Sequence, residues 1–510
     1  MAARYWVNGG NGLWNSTTNW STTSGGASGA SVPTSSDDVF FDANGNSNST
    51  ISANITVLSL TIDAGYTATI THNAILGIVG NVTLGANYTI AGTSRINISA
   101  NCTFTSNGKT WPNDLLIQNT DTTVTLVGNL TITGSLSFSF SGITINRTTT
   151  EVVYVDGGLG GNGVNGCSGT AEIILRGGTW SGINQPIHSN LTIQGNVTIS
   201  GNVFYGNGTL TYSSGTVTTT GSTFNIEATG SGAILNTNGI VWNIFKMNLN
   251  DSVVTLTSNL SCTSFINGGT GIINHTTNET ITCSNGLTLS YNTSGTAKFI
   301  LTGGTWSNAA LVVLSNSLDF QGNVTVSGIV RYSTGTLRYV SGSVTTTGST
   351  LIISQCTLDT NGIIWNNVTT DTVPDKIYTI NSLLSVSGTL TLSDTLTQTF
   401  AGTSGFICSS LVDVGINVNT VILQEGITYT VTNSLHCNTT RVGSVLLFTS
   451  SHASNKAILT LQPGATCACL ANFTRIDASN GRPIRTFNGV VTNCDNIVSF
   501  FDLKTAGSTL

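Results

Sequence analysis

The feature that most constrains this chain is a long internal duplication. Residues 169–182 read GTAEIILRGGTWSG, and residues 295–308 read GTAKFILTGGTWSN. The echo continues as GTLTYSSGTVTTTGST at 208–223 against GTLRYVSGSVTTTGST at 335–350. It then returns as NGIVWN around Trp242 against NGIIWN around Trp365. Trp180 to Trp306 is a step of 126 residues, Gly221 to Gly348 is 127 and Trp242 to Trp365 is 123, so one loop between Gly221 and Trp242 has changed length. CTFTSNGKTW, ending at Trp111, is a partial third copy. Sequence that returns at a fixed step marks stacked units sharing one continuous core.

The unit being stacked is short and extended. ITVLSLTI at 55–62, NVTL at 81–84, INIS at 96–99 and NLTI at 129–132 alternate with period two and end at Gly, Asn or Asp. The parity resets at these breaks, as between Leu130–Ile132 and Leu136–Phe138–Phe140. Strands joined by corner residues suit a coil of about 22 residues. No window carries helical apolar spacing over three turns. The expected fold is therefore all-β: a parallel β-helix or β-solenoid with an N-terminal aromatic cap and a C-terminal β cap. The boundaries read 1–43 for a Trp-rich cap or attachment module, 44–168 for a first solenoid segment, 169–294 and 295–424 for repeats A and B, and 425–510 for a C-terminal cap or small β-domain.

Composition narrows the function classes. Charged residues make up 7% of 510, against roughly 25% in ordinary domains, and Asn, Thr, Ser and 58 Gly fill the deficit. With 39% hydrophobic residues and a net charge of -6 the chain is not disordered. It has no Lys/Arg cluster to follow phosphates, and no apolar run of about 18 residues to span a bilayer. Neither nucleic acid nor membrane insertion is expected. MAARYWVNGG lacks the charged and apolar regions of a secretory signal. About twenty N-x-S/T triplets are attributed to the Asn- and Thr-rich composition rather than to a glycoprotein.

Ten cysteines invite a disulfide framework. Nine positions before each aligned tryptophan, however, stand Cys102, Ala233 and Cys356, and Cys262 falls where the upstream copy has Ile132. Cysteine that trades with alanine and isoleucine is a small buried hydrophobe. Whether Cys437, Cys467, Cys469 and Cys494 form disulfides stays open at this level. Cys467 and Cys469 share a strand face.

Three of eight tryptophans, Trp6, Trp14 and Trp20, fall in residues 1–43. They read as the core of a cap, and alternatively as glycan-stacking or assembly contacts. Asp37, Asp38 and Asp42 are the candidate Ca²⁺ ligands, against turn chemistry before the strand VFFD; no other cofactor or metal is expected. The repeat tryptophans Trp111, Trp180, Trp242, Trp306 and Trp365 read as stacked core before they read as a sugar ladder. No catalytic residues are assigned: Asp156, Glu172, Glu227 and Asp319 are scattered singly, and Lys298 stands in repeat B where Glu172 stands in repeat A.

RYWVNGGNGLWNSTTNWSTTSGGASGASVPTSSDDVFFD, at residues 4–42, resembles an N-terminal module of Asn/Thr/Gly-rich β-solenoid proteins of bacteriophages and some bacteria. The resemblance covers under a tenth of the chain and brings no catalytic residues. It implies a virion appendage (tail fibre, tailspike or head fibre) and a homo-oligomer, often a trimer, that meets other virion proteins and a host-surface glycan or receptor. The expected location is the virion surface, otherwise extracellular or cell-surface. The alternatives are a secreted bacterial or archaeal adhesin or filament subunit, and a polysaccharide-degrading tailspike.

Overall fold

The computed structural model describes residues 1–7, 12–160, 167–182, 186–228, 232–248, 251–309, 311–373, 375–393, 397–414, 420–437, 446–487 and 489–500. Two compact units divide at Ser261/Cys262, inside repeat A. Each is a β-solenoid of parallel coils, and the described residues hold only two short 3-10 turns besides strands.

In the first unit a coil has three strands. One coil runs through Ser59–Ile62, Thr69–His72 and Leu76–Ile78, and each strand pairs in parallel with its counterpart one coil later. Val39, Leu60, Val82, Phe104 and Leu126 are successive register partners 21 or 22 residues apart, and all are buried. A second wall repeats the pattern with Val57, Ile78, Ile98, Ile117 and Phe138. Period-two strands put these side chains inward on every coil, so like positions pile into a continuous apolar column. The coil of about 22 residues expected from the sequence is observed, with steps of 19–23 residues between register partners.

The second unit is built the same way. Phe299, Leu318, Leu337, Leu358 and Ile380 form one inward ladder, none measurably exposed. Parallel pairing does not stop where the repeat fades near residue 425. Val431 partners Leu461, and Phe448 lies on Phe473 with ring centroids 5.3 Å apart. Coil geometry needs only inward apolar residues and corner residues, not a preserved repeat. The Gly-rich stretch DGGLGGNGVNGCSG at 156–169 reads from the sequence as a surface loop or a junction between solenoid segments; its residues 161–166 lie outside the described residues, and Gly158–Gly160 is a strand.

Composition alone does not explain the N-x-S/T triplets. At thirteen of them the asparagine stands between strands or within one, and its Oδ1 accepts the backbone N–H of a residue 18–24 positions ahead, on the next coil. Asn81 takes Thr103 at 2.9 Å, Asn196 takes Thr216 at 2.9 Å and Asn323 takes Ser343 at 3.2 Å. The middle residue commonly points inward, as Val82, Leu130, Leu191 and Val324 do. Where the backbone donor on the next coil does not meet a carbonyl, the side-chain amide oxygen satisfies it. The triplet is thus a structural word of the coil, whose asparagine ties one coil to the next and whose middle residue is inward and apolar at most of these positions.

Ala2–Trp6 pairs in parallel with Asp37–Phe41 and antiparallel with Trp20–Ser21, covering an edge that would otherwise offer unpaired backbone groups. Trp6, Trp14 and Trp20 pack against Phe41 with centroids 5.5–6.0 Å away. Asp37–Phe41 is also the first rung of the ladder, since Asp38 partners Ser59. The cap and the first coil therefore share a strand.

Six cysteines outside the C-terminal group (Cys102, Cys167, Cys262, Cys283, Cys356 and Cys408) are buried free thiols. Ala233, the counterpart of Cys356, is equally buried. Cys356→Ala is expected to cost about 1 kcal/mol or less in a denaturation midpoint, because the site already accepts the smaller side chain in repeat A. A loss several times larger would show that the two sites differ in volume.

His72 is a core residue, edge-on to Trp111 at 4.9 Å. Burial depresses its imidazole to about 4. Above the unfolded value near 6.5 the ring is neutral in both states, and its contribution is fully present. As pH falls below 6.5 only the unfolded chain takes the proton. Stability should then drop by about 2 kcal/mol between pH 6.5 and pH 5, and flatten below pH 4. His72→Phe should remove that slope from a series of urea midpoints.

Candidate functional site

The outward positions of the coils carry hydroxyls, amides and glycines, and they form a groove only where register brings the right ones together. Ile96, Leu115, Leu136, Leu159 and Trp180 are inward register partners on five successive coils of the first unit. Flanking residues of those strands line a groove of about 420 Å³, among them Arg95, Asp114, Ser135, Ser137, Thr179 and Ser181. Four steps of about 4.8 Å make it roughly 19 Å long. Gly160 also lines it, on the coil between the Ser135/Ser137 rung and the Thr179/Ser181 rung. A glycine there leaves the space between hydroxyl rungs without a side chain.

Among the described residues the groove holds one guanidinium and one carboxylate. One oxygen of Asp114 accepts the Ser135 N–H at 2.7 Å. The Arg95 Nε is covered and makes no hydrogen bond among the described residues. Hydroxyls at strand spacing, with a cation and an anion at one end, can hydrogen-bond a polyhydroxylated chain. A two-carboxylate glycosidase needs a second acid facing the first, and among the described residues Asp114 is the one acidic residue lining this groove.

The residues singled out from the sequence lie elsewhere. Trp6, Trp14 and Trp20 are buried, with Trp6 Nε1 donating to the Ser47 carbonyl at 3.0 Å and Trp20 Nε1 to the Trp14 carbonyl at 2.7 Å. Their faces are covered by one another and by Phe41. Asp37 accepts the Thr34 N–H and hydroxyl at 2.9 and 2.8 Å, Asp38 accepts the Ser59 hydroxyl, and Asp42 caps the turn Ala43–Gly45 while accepting from Ser24. The three carboxylates thus serve three separate turns and rungs. Among the described residues no three His, Cys, Asp or Glu side chains converge as metal ligands do.

The repeat tryptophans are core. Trp111, Trp180, Trp242, Trp306 and Trp365 are all buried, and Phe224 stacks on Trp242 at 4.0 Å. The scattered acids each have a local partner: Asp156 is gripped by Arg176 at 2.7 and 3.0 Å, Glu172 accepts from Thr192 at 2.6 Å, and Glu227 accepts from Asn248 at 2.6 Å. Asp319 lies between Lys298 and Arg338. In the C-terminal group Cys437 and Cys469 form a disulfide, while Cys467 and Cys494 are free.

No family model matches this chain, and no curated protein or solved structure shows significant similarity to it.

Proposed function

We propose that this chain is a structural and adhesive protein, a β-solenoid spike or fibre carried on a phage particle and presenting its polar coils to a host-surface glycan. The observation that carries this reading is the joining of a buried tryptophan cap, of the kind the N-terminal module resembles, to parallel coils with a polar outer face. The Arg95–Ser181 groove supports glycan contact, and the single carboxylate among its described residues favours holding over cleaving. Oligomers of this 52.8 kDa chain, a trimer first among them, belong to the same reading.

Antibodies against the chain should label purified particles at the head or tail in electron micrographs. Label on cell-surface filaments, with bare particles, would instead favour the secreted adhesin, a reading the Cys437–Cys469 disulfide supports because such bonds persist in oxidising surroundings. New reducing or unsaturated ends from host capsular polysaccharide would move the assignment to a degrading tailspike.

A further inference from the structure

We infer that Cys262 and Cys283 are an oxidation site, a second disulfide joining adjacent coils that closes when the chain folds in the presence of a small disulfide oxidant. Their sulfurs are 3.5 Å apart in the core of the second unit. Cys262 lies in the strand Leu260–Asn267 and Cys283 ends the strand Thr280–Cys283. The Ser284 N–H donates to the Cys262 carbonyl at 3.1 Å and the Asn285 N–H to the Thr263 carbonyl at 2.7 Å, so the two cysteines occupy like positions on neighbouring coils.

The chain already contains one bond of this kind. Leu435 partners Cys467 in register, which sets Cys437 opposite Cys469 one coil on, and that pair is bridged with its Cα atoms 4.4 Å apart. Neighbouring parallel strands in register hold facing inward residues at about 4.8 Å, inside the 4.4–6.8 Å range a disulfide accepts. Backbone geometry therefore imposes no movement on the second bridge. The shorter separation, 21 residues against 32, closes a single coil.

The step balances with oxidised glutathione as acceptor. Two S–H bonds break, one S–S bond forms, and two electrons and two protons pass to the oxidant, which leaves as two reduced glutathiones. Timing follows from burial. The Cys262 sulfur beside it, and then burial, push the Cys283 thiol well above its ordinary value. The folded dithiol exposes little thiolate, so the bond closes while the coil is forming. A chain folded in a reducing compartment keeps the pair as thiols, and one folded under oxidising conditions gains a staple at the start of the second unit. None of this depends on what the outer surface binds.

The full chain, unfolded and reduced, is refolded with reduced and oxidised glutathione, quenched in acid, denatured and alkylated with N-ethylmaleimide. The expected result is that six rather than eight of the ten cysteines take the reagent, with a peptide map linking Cys262 to Cys283 alongside Cys437 to Cys469. The folded fraction is selected beforehand by its β-type circular dichroism and protease resistance. Cys283→Ala, refolded in the same way, should leave Cys262 fully alkylated. Eight alkylated cysteines in the folded wild-type chain, or Cys262 linked to any other partner, would overturn the inference.

Discussion

Gly304→Ala is expected to cost about 3–5 kcal/mol, whereas Gly348→Ala, in the same unit and with almost the same backbone angle, should cost about 1–2 kcal/mol. Both glycines are left-handed, at φ 77° and 75°. A Cβ at Gly348 meets nothing within 4 Å, so only the conformational penalty of an L side chain remains. A Cβ at Gly304 would fall inside the carbonyl group of Asn285 on the preceding coil, and backbone cannot rotate away as a side chain can. Gly303 and Gly304 sit at the irregularity where Phe299–Leu301 and Gly303–Ser307 pair out of step with Leu318–Ser327, and Gly177 and Gly178 repeat the arrangement in the first unit. Substituting Gly304 must push the adjacent coils apart or displace the bulge. Urea midpoints for the two variants provide the comparison; equal losses would mean that coil spacing yields freely and that close approach is not what GGTW encodes.

That motif shows how much of the fold could be read in advance. Parity resets and a fixed step depend on local residue types, so the coil, its length and the inward tryptophans were legible. The GGTW words marked a place that mattered without saying why, because the clash involves a coil about twenty residues away. The groove was not legible at all. Its inward partners, Ile96, Leu115, Leu136, Leu159 and Trp180, are separated by 19, 21, 23 and 21 residues, so no constant step aligns Arg95 and Asp114 with Ser181. Cys437 and Cys469 stayed open for the same reason, since 32 residues, rather than a regular coil step, separate two residues that end in register. The N-x-S/T triplets were visible, but their meaning depended on a backbone donor one coil ahead.

Asp319→Ala should lower the stability of the second unit by about 3 kcal/mol, because it strands two cations around a site that is almost fully covered. Asp319 is 2% exposed, with Lys298 Nζ at 3.0 Å and Arg338 Nε at 3.1 Å. Lys298 and Arg338 are themselves 34% and 43% exposed, so they recover some water and hold the cost near the lower end of the range for broken buried pairs. Repeat A fills the same three positions differently, with Glu172, Thr192 and Thr211, and there Thr192 donates its hydroxyl to Glu172. Each repeat has therefore settled its own rung-to-rung ladder, and a residue moved alone from one to the other arrives without its partner. The triple variant Lys298→Glu, Asp319→Thr, Arg338→Thr should return to within about 1 kcal/mol of the parent, and a cycle of single, double and triple variants measures the coupling. A triple variant as unstable as Asp319→Ala would mean that the ion triad stabilises this stretch of the coil beyond what the neutral ladder can supply.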